Sequence, residues 1–92
     1  MAVKVEFFNT LRAALGGVKA VEVEGVQTLR DVMQKLEEMF PGKILGEVWD
    51  GEKLNEDYLI MINGRNVVFM GGIDAPVKDG DEISLFPPAA GG

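Results

Sequence analysis

The sequence contains neither cysteine nor histidine among its 92 residues. Without thiolate or imidazole it lacks the usual zinc ligands, the usual nucleophile and base pairs of covalent catalysis, and any disulfide framework. The chain is therefore not expected to be an enzyme on its own, nor to bind a cofactor or metal stably. Basic residues are also scarce. Nine Lys and Arg against fifteen Asp and Glu leave a net charge of −6. They are scattered along the chain rather than gathered into the basic stripe that nucleic acid requires. Electropositive proteins are the partners this balance favours, because complementary charge speeds encounter. No apolar run approaches the roughly 18 to 20 residues of a membrane span, and the N-terminus lacks a basic region followed by an apolar one. A cytoplasmic protein with neither membrane nor nucleic-acid partners is expected.

What is present is enough for a single modest core, at 47% hydrophobic residues. The most informative stretch is the last. Asp79-Gly80-Asp81 is a turn signal, and Ile83 and Leu85 alternate with Glu82, Ser84 and Phe86 as in a half-buried strand. Pro87-Pro88 ends that strand, since neither proline donates to a ladder and consecutive prolines hold an extended backbone. Beyond lie Ala89, Ala90, Gly91 and Gly92, with no side chain larger than a methyl. A stiff diproline projecting so bare a segment from a core strand suits threading into a narrow active site, where any larger Cβ substituent would collide. The Gly92 carboxylate could there attack the α-phosphate of ATP to give an acyl-adenylate.

The run Gly80-Asp81-Glu82-Ile83, Leu85-Phe86-Pro87-Pro88 and Gly91-Gly92 resembles the C-terminal signature of the small subunit of molybdopterin synthase, a MoaD/ThiS-type ubiquitin-like sulfur carrier. Val5-Glu6-Phe7-Phe8, Leu11-Arg12 and Gly16 resemble that family's opening strand and turn. Residues 43 to 57 are longer than in the shorter bacterial members and similar to archaeal-type ones. The resemblance covers nearly the whole chain.

Taken in order, Val3, Val5 and Phe7 predict a first strand ending near Asn9. Phe8 either covers the sheet edge or meets a partner. Thr10 is a candidate cap for a short helical turn through Leu15, closed by Gly16-Gly17, and Arg12 reads as a surface or packing residue. Val18 to Glu24 predicts a second, antiparallel strand with Val21 and Val23 inward. Thr28 and Asp31 approximate a capping box, opening a helix whose Leu29, Val32, Met33, Leu36 and Phe40 share one stripe. Pro41-Gly42 stops it. Ile44, Leu45, Val48 and Trp49 suggest one further helical turn, with Trp49 as a lid on the core. Tyr58 to Asn63 and Val67 to Met70 read as a hairpin about Asn63-Gly64, with Tyr58, Ile60 and Ile62 facing opposite to Leu59 and Met61. Either set leaves apolar surface to be covered, and with Phe86 it suggests a docking patch of Phe86, Leu59 and Met61. Gly71-Gly72 is no phosphate loop, having neither the lysine nor a following helix; Gly71 to Pro76 reads as a connection.

The order of elements alone implies an α+β domain over residues 1–86 with an extended tail over 87–92. The resemblance implies more: a β-grasp fold, a mixed sheet of about five strands on one main helix, with the first and last strands parallel neighbours. It also implies that an E1-like adenylating enzyme activates Gly92 with ATP and that a sulfur donor makes the thiocarboxylate. The MoaE-like large subunit of molybdopterin synthase then receives the tail, threaded through Pro87, Pro88, Ala89, Ala90 and Gly91, and precursor Z takes the sulfur. The alternative is a ubiquitin-like modifier, joined through Gly92 to lysines of other proteins.

Overall fold

The computed structural model describes residues 2–88. Strand β1, Val3–Phe7, buries Val3, Val5 and Phe7 and turns Lys4 and Glu6 to its other face. Strand β2, Ala20–Val23, runs antiparallel to it, with Val5 opposite Val21 and Val3 opposite Val23. Between them lies helix α1, Asn9–Ala14. Its N-cap is Phe8 and makes no side-chain capping bond, so the expectation of Thr10 as the cap is corrected. The extended backbone of Phe8 passes straight from strand to helix and places Thr10 inside the first turn.

Helix α2, Leu29–Met39, begins as its sequence requires. Thr28 Oγ1 accepts from Asp31 N–H at 3.3 Å, and the Asp31 carboxylate accepts from Thr28 and Gln27 N–H at 3.2 and 2.9 Å. Leu29, Val32, Met33 and Leu36 are buried on one stripe, and Phe40, just beyond the last turn, sets its ring edge-on to Phe7 at 5.6 Å. The Glu37 carboxylate then gathers the N–H groups of Gly42, Ile44 and Leu45, holding the chain as it leaves the helix. A single turn follows, in which Val48 N–H reaches Ile44 C=O at 2.8 Å. Ile44, Val48 and Trp49 are buried, but Leu45 faces solvent.

Strand β3, Leu59–Ile62, turns into β4, Arg65–Asn66, through Asn63 and Gly64 at φ of 51° and 82°. This is the primed two-residue turn for which Asn-Gly is the strongest signal. The second arm is shorter than expected. Instead of a strand, Val67–Phe69 form a 3-10 turn, because Asn66 Oδ1 accepts from Val68 N–H at 3.0 Å and draws the chain out of the ladder. The connection from Gly71 to Pro76 contains a second 3-10 turn, Gly72–Asp74, which buries Ile73.

Strand β5, Glu82–Phe86, inserts between β1 and β3, parallel to the first and antiparallel to the second. The sheet order is β2-β1-β5-β3-β4, with α2 packed on the buried face, the β-grasp arrangement. Buried Asp81 fixes where β5 starts. Its carboxylate accepts from Asn63 Nδ2 at 2.8 Å and from Lys78 N–H at 2.9 Å, while Asn63 Oδ1 accepts from Glu82 N–H.

Thr28→Ala should lower stability by about 1 kcal/mol, as loss of a helix cap does. The Asp31 carboxyl is held below the usual carboxylate range, chiefly by the Gln27 N–H. A group with a depressed native pKa stabilises the fold above its ordinary pKa; that contribution begins to fade as pH falls below the ordinary range and is gone below the depressed value. Thermal unfolding across acidic pH should therefore be less pH-sensitive in Asp31→Asn than in the wild type, and equal slopes would refute the assignment.

Candidate functional site

The alternation of β1, β5 and β3 builds one outward face. Register places Leu59 opposite Phe86, and Met61 opposite Ser84, which in turn lies beside Glu6. Phe86 and Met61 are half-buried and Leu59 is 43% exposed, whereas Ile60 and Ile62 point into the core with Tyr58. The choice between the two faces of this strand is thereby settled. The Phe86 ring stacks on Phe8, with centroids 4.3 Å apart and planes 15° from parallel. Arg12 lies over the other aromatic of the pair, its guanidinium carbon 5.4 Å from the Phe8 centroid, and its Nε–H donates to Phe7 C=O at 2.9 Å. Phe8 therefore belongs to the face rather than merely to the sheet edge, and Arg12 braces it. Only long-range pairing of β1 with β5 brings the two rings together, so no local pattern marked the stack.

The opposite end of this face is charged. There Lys4 is the register partner of both Glu22 and Glu82. The apolar end is the one from which the chain departs. Pro87 is buried, so packing against the domain continues one residue past β5, and Pro88 is exposed. Pro87 and Pro88 are thus the described part of the segment assigned to threading; the rest of it, Ala89, Ala90 and Gly91, and the activated Gly92 lie outside the described residues. The apolar end of the face is a platform of Phe8, Phe86, Leu59 and Met61 next to Pro87.

Known proteins share this fold and much of this sequence. A family model described as the ThiS family matches residues 5–92. The chain belongs to this family of ubiquitin-like sulfur carriers. Small archaeal modifier protein 3 of Haloferax volcanii is 34% identical to it over 93 residues, covering all of both chains. A chain of the Amycolatopsis orientalis BexX/CysO complex superposes with a TM-score of 0.85 at 36% identity, over 99% of this chain and 100% of that one. A putative molybdopterin converting factor subunit 1 from Pyrococcus furiosus gives 0.73 at 34% identity, over 97% and 99%. These ThiS-family likenesses establish the β-grasp fold. Among the described residues, no helix is long and apolar enough to cross a membrane.

The stacked pair yields a direct test. Phe8→Ala and Phe86→Ala should each destabilise the protein, and a double-mutant cycle by urea unfolding should return a coupling of about 0.5 to 1.5 kcal/mol. Strictly additive losses would mean that the rings do not support one another.

Proposed function

We propose that this ThiS-family chain is a sulfur carrier whose Gly92 carboxylate is the working group. The carboxylate attacks the α-phosphate of ATP within an E1-like enzyme, releasing pyrophosphate and leaving an acyl-adenylate. A hydrosulfide equivalent from a sulfur donor then displaces AMP to give the thiocarboxylate. The observation that carries this reading is the path of β5. A core strand delivers Pro87-Pro88 from an apolar platform into four residues with no side chain beyond a methyl. Such an ending fits a narrow active site belonging to another protein, while Phe86, Leu59 and Met61 offer that protein a surface. The chain contributes the activated group; the partner contributes the catalytic side chains. Likeness to a CysO-containing complex supports sulfur carriage. Likeness to the Pyrococcus furiosus protein supports, as the destination, a MoaE-like synthase subunit that passes the sulfur to precursor Z for the molybdopterin dithiolene.

A second reading is favoured by the full-length likeness to a small archaeal modifier protein. In it the same acyl-adenylate leads to an isopeptide bond between Gly92 and lysine amines of other proteins. The two readings share their first step and part at the second.

Mass spectrometry of the protein from its own cells separates them. A free chain with one carboxylate oxygen replaced by sulfur is expected for the carrier, whereas Gly92 joined to lysines would transfer the function to the modifier reading. Deleting Gly92, or changing Gly91→Trp, should abolish ATP-dependent pyrophosphate release with the activating enzyme and leave the thermal midpoint unchanged; undiminished turnover would refute both readings. Phe86→Ala and Leu59→Asp should weaken partner binding by about 2 kcal/mol, the scale of an interface anchor. Leu59→Asp should do so with little loss of stability, because its side chain is already exposed.

A further inference from the structure

A second apolar feature lies on the other side of β3. Between the loop that precedes this strand and the two 3-10 turns runs a groove of about 620 Å³, walled by Leu54, Tyr58, Ile60, Val67, Val68 and Ile73. Its lip is more exposed than any part of the docking platform. Val68 is 66% exposed, and Phe69, in the same turn, is 86% exposed, the highest value for a large apolar side chain among the described residues. Val68 lines the groove, and Phe69, the next residue in the chain, adds exposed apolar surface to the same turn.

The far wall of the groove is shared with a shallow depression of marked charge. Lys53, Leu54, Asn55 and Glu56 line both, and the depression adds Glu47, Asp50 and Asp57. With Glu52, the loop from Gly46 to Asp57 carries five carboxylates and one lysine. Among the described residues none of these carboxylates is in a salt bridge, the Arg30–Asp74 pair being the one found. Nor are they gathered into a set able to hold a metal ion. Asp50 is fixed in its ionised form, since the N–H groups of Lys53 and Glu52 hold its carboxyl below the usual range. Apolar groove and anionic rim therefore form one continuous surface with no internal counter-charge beyond Lys53.

We propose that this surface docks a basic amphipathic segment of a partner protein, with apolar side chains in the groove and Lys or Arg side chains over the rim. The fit is by charge complementarity, which sets encounter rate and register while the apolar anchors supply affinity. A second copy of the chain is a poorer occupant. An isologous contact would bring the same anionic rim to both sides of the interface, and the net charge of −6 opposes it further. Because Ile60 points away from Leu59 and Met61, the groove is free while the platform is engaged. The proposal is independent of what happens at Gly92.

The probe is a designed helical peptide of Leu and Lys with one apolar face, set against a Leu and Glu peptide of the same length. Neither contains an aromatic residue, so emission from Trp49, the single tryptophan and a wall of the depression, reports on binding without a label. The Leu and Lys peptide should change that emission, shift backbone amide resonances of residues 53–58 and 66–73, and bind more weakly as salt rises. Val68→Asp should weaken binding about tenfold, although it adds a negative charge that would strengthen a purely electrostatic attraction. Glu56→Gln with Asp57→Asn should weaken it severalfold and flatten the salt dependence, whereas Phe86→Ala should bind as the wild type. The proposal is overturned if the peptide does not bind, or if Val68→Asp binds as well as wild type. It is equally overturned if the shifts map to Phe8, Phe86 and Leu59, or if sedimentation shows the chain pairing with itself through the groove.

Discussion

The parallel pairing of β1 with β5 is the constraint from which the rest of this molecule follows. It joins two segments from opposite ends of the chain, with Val5 beside Ile83 and Phe7 beside Leu85. These four side chains are fully buried and form the floor on which α2 packs. The same register aligns what lies beyond the paired residues. Phe8 comes to rest on Phe86, and the chain then leaves the sheet between neighbours that cannot shift without exposing the core. A one-residue slip would turn Ile83 and Leu85 to solvent, so burial of two aliphatic side chains fixes where Phe86 and Pro87 leave the sheet.

The two candidate surfaces are separated by the simplest property of a strand, its period of two. Leu59 and Met61 belong to the platform, Ile60 to the groove, and the distance between the two surfaces is the thickness of one backbone. The surfaces also differ in kind. The platform is aromatic, braced by Arg12 and continuous with the tail; the groove is aliphatic and rimmed with carboxylates.

Local signals carried most of this architecture into view. Thr28 and Asp31 named the start of α2, its stripe named the buried face, and Asn63-Gly64 named the turn, since each depends on residues within one or two turns of one another. The errors arose where one contact or the path of the chain outweighed propensity. Val67 to Met70 are good strand formers, yet Asn66 captures the Val68 N–H and the pairing stops. Thr10 is a good cap, but Phe8 already occupies the position where strand becomes helix. The site divided in the same way. The diproline and diglycine were plain in the sequence, whereas the Phe8–Phe86 stack and the groove depend on contacts between segments far apart, which no local window contains.

The place of β5 in the sheet also governs when the core can close. It is the last of the five strands in the chain and the one in the middle, so neither half of the sheet has its central partner until Glu82–Phe86 has been made. Contacts that span most of a sequence form late, and until they form the aliphatic floor is open to solvent. A chain broken off before Glu82 has neither a finished core nor the residues that follow Phe86. Chains broken off there leave β1 and β3 without the strand that joins them, so the two halves of the sheet share no ladder.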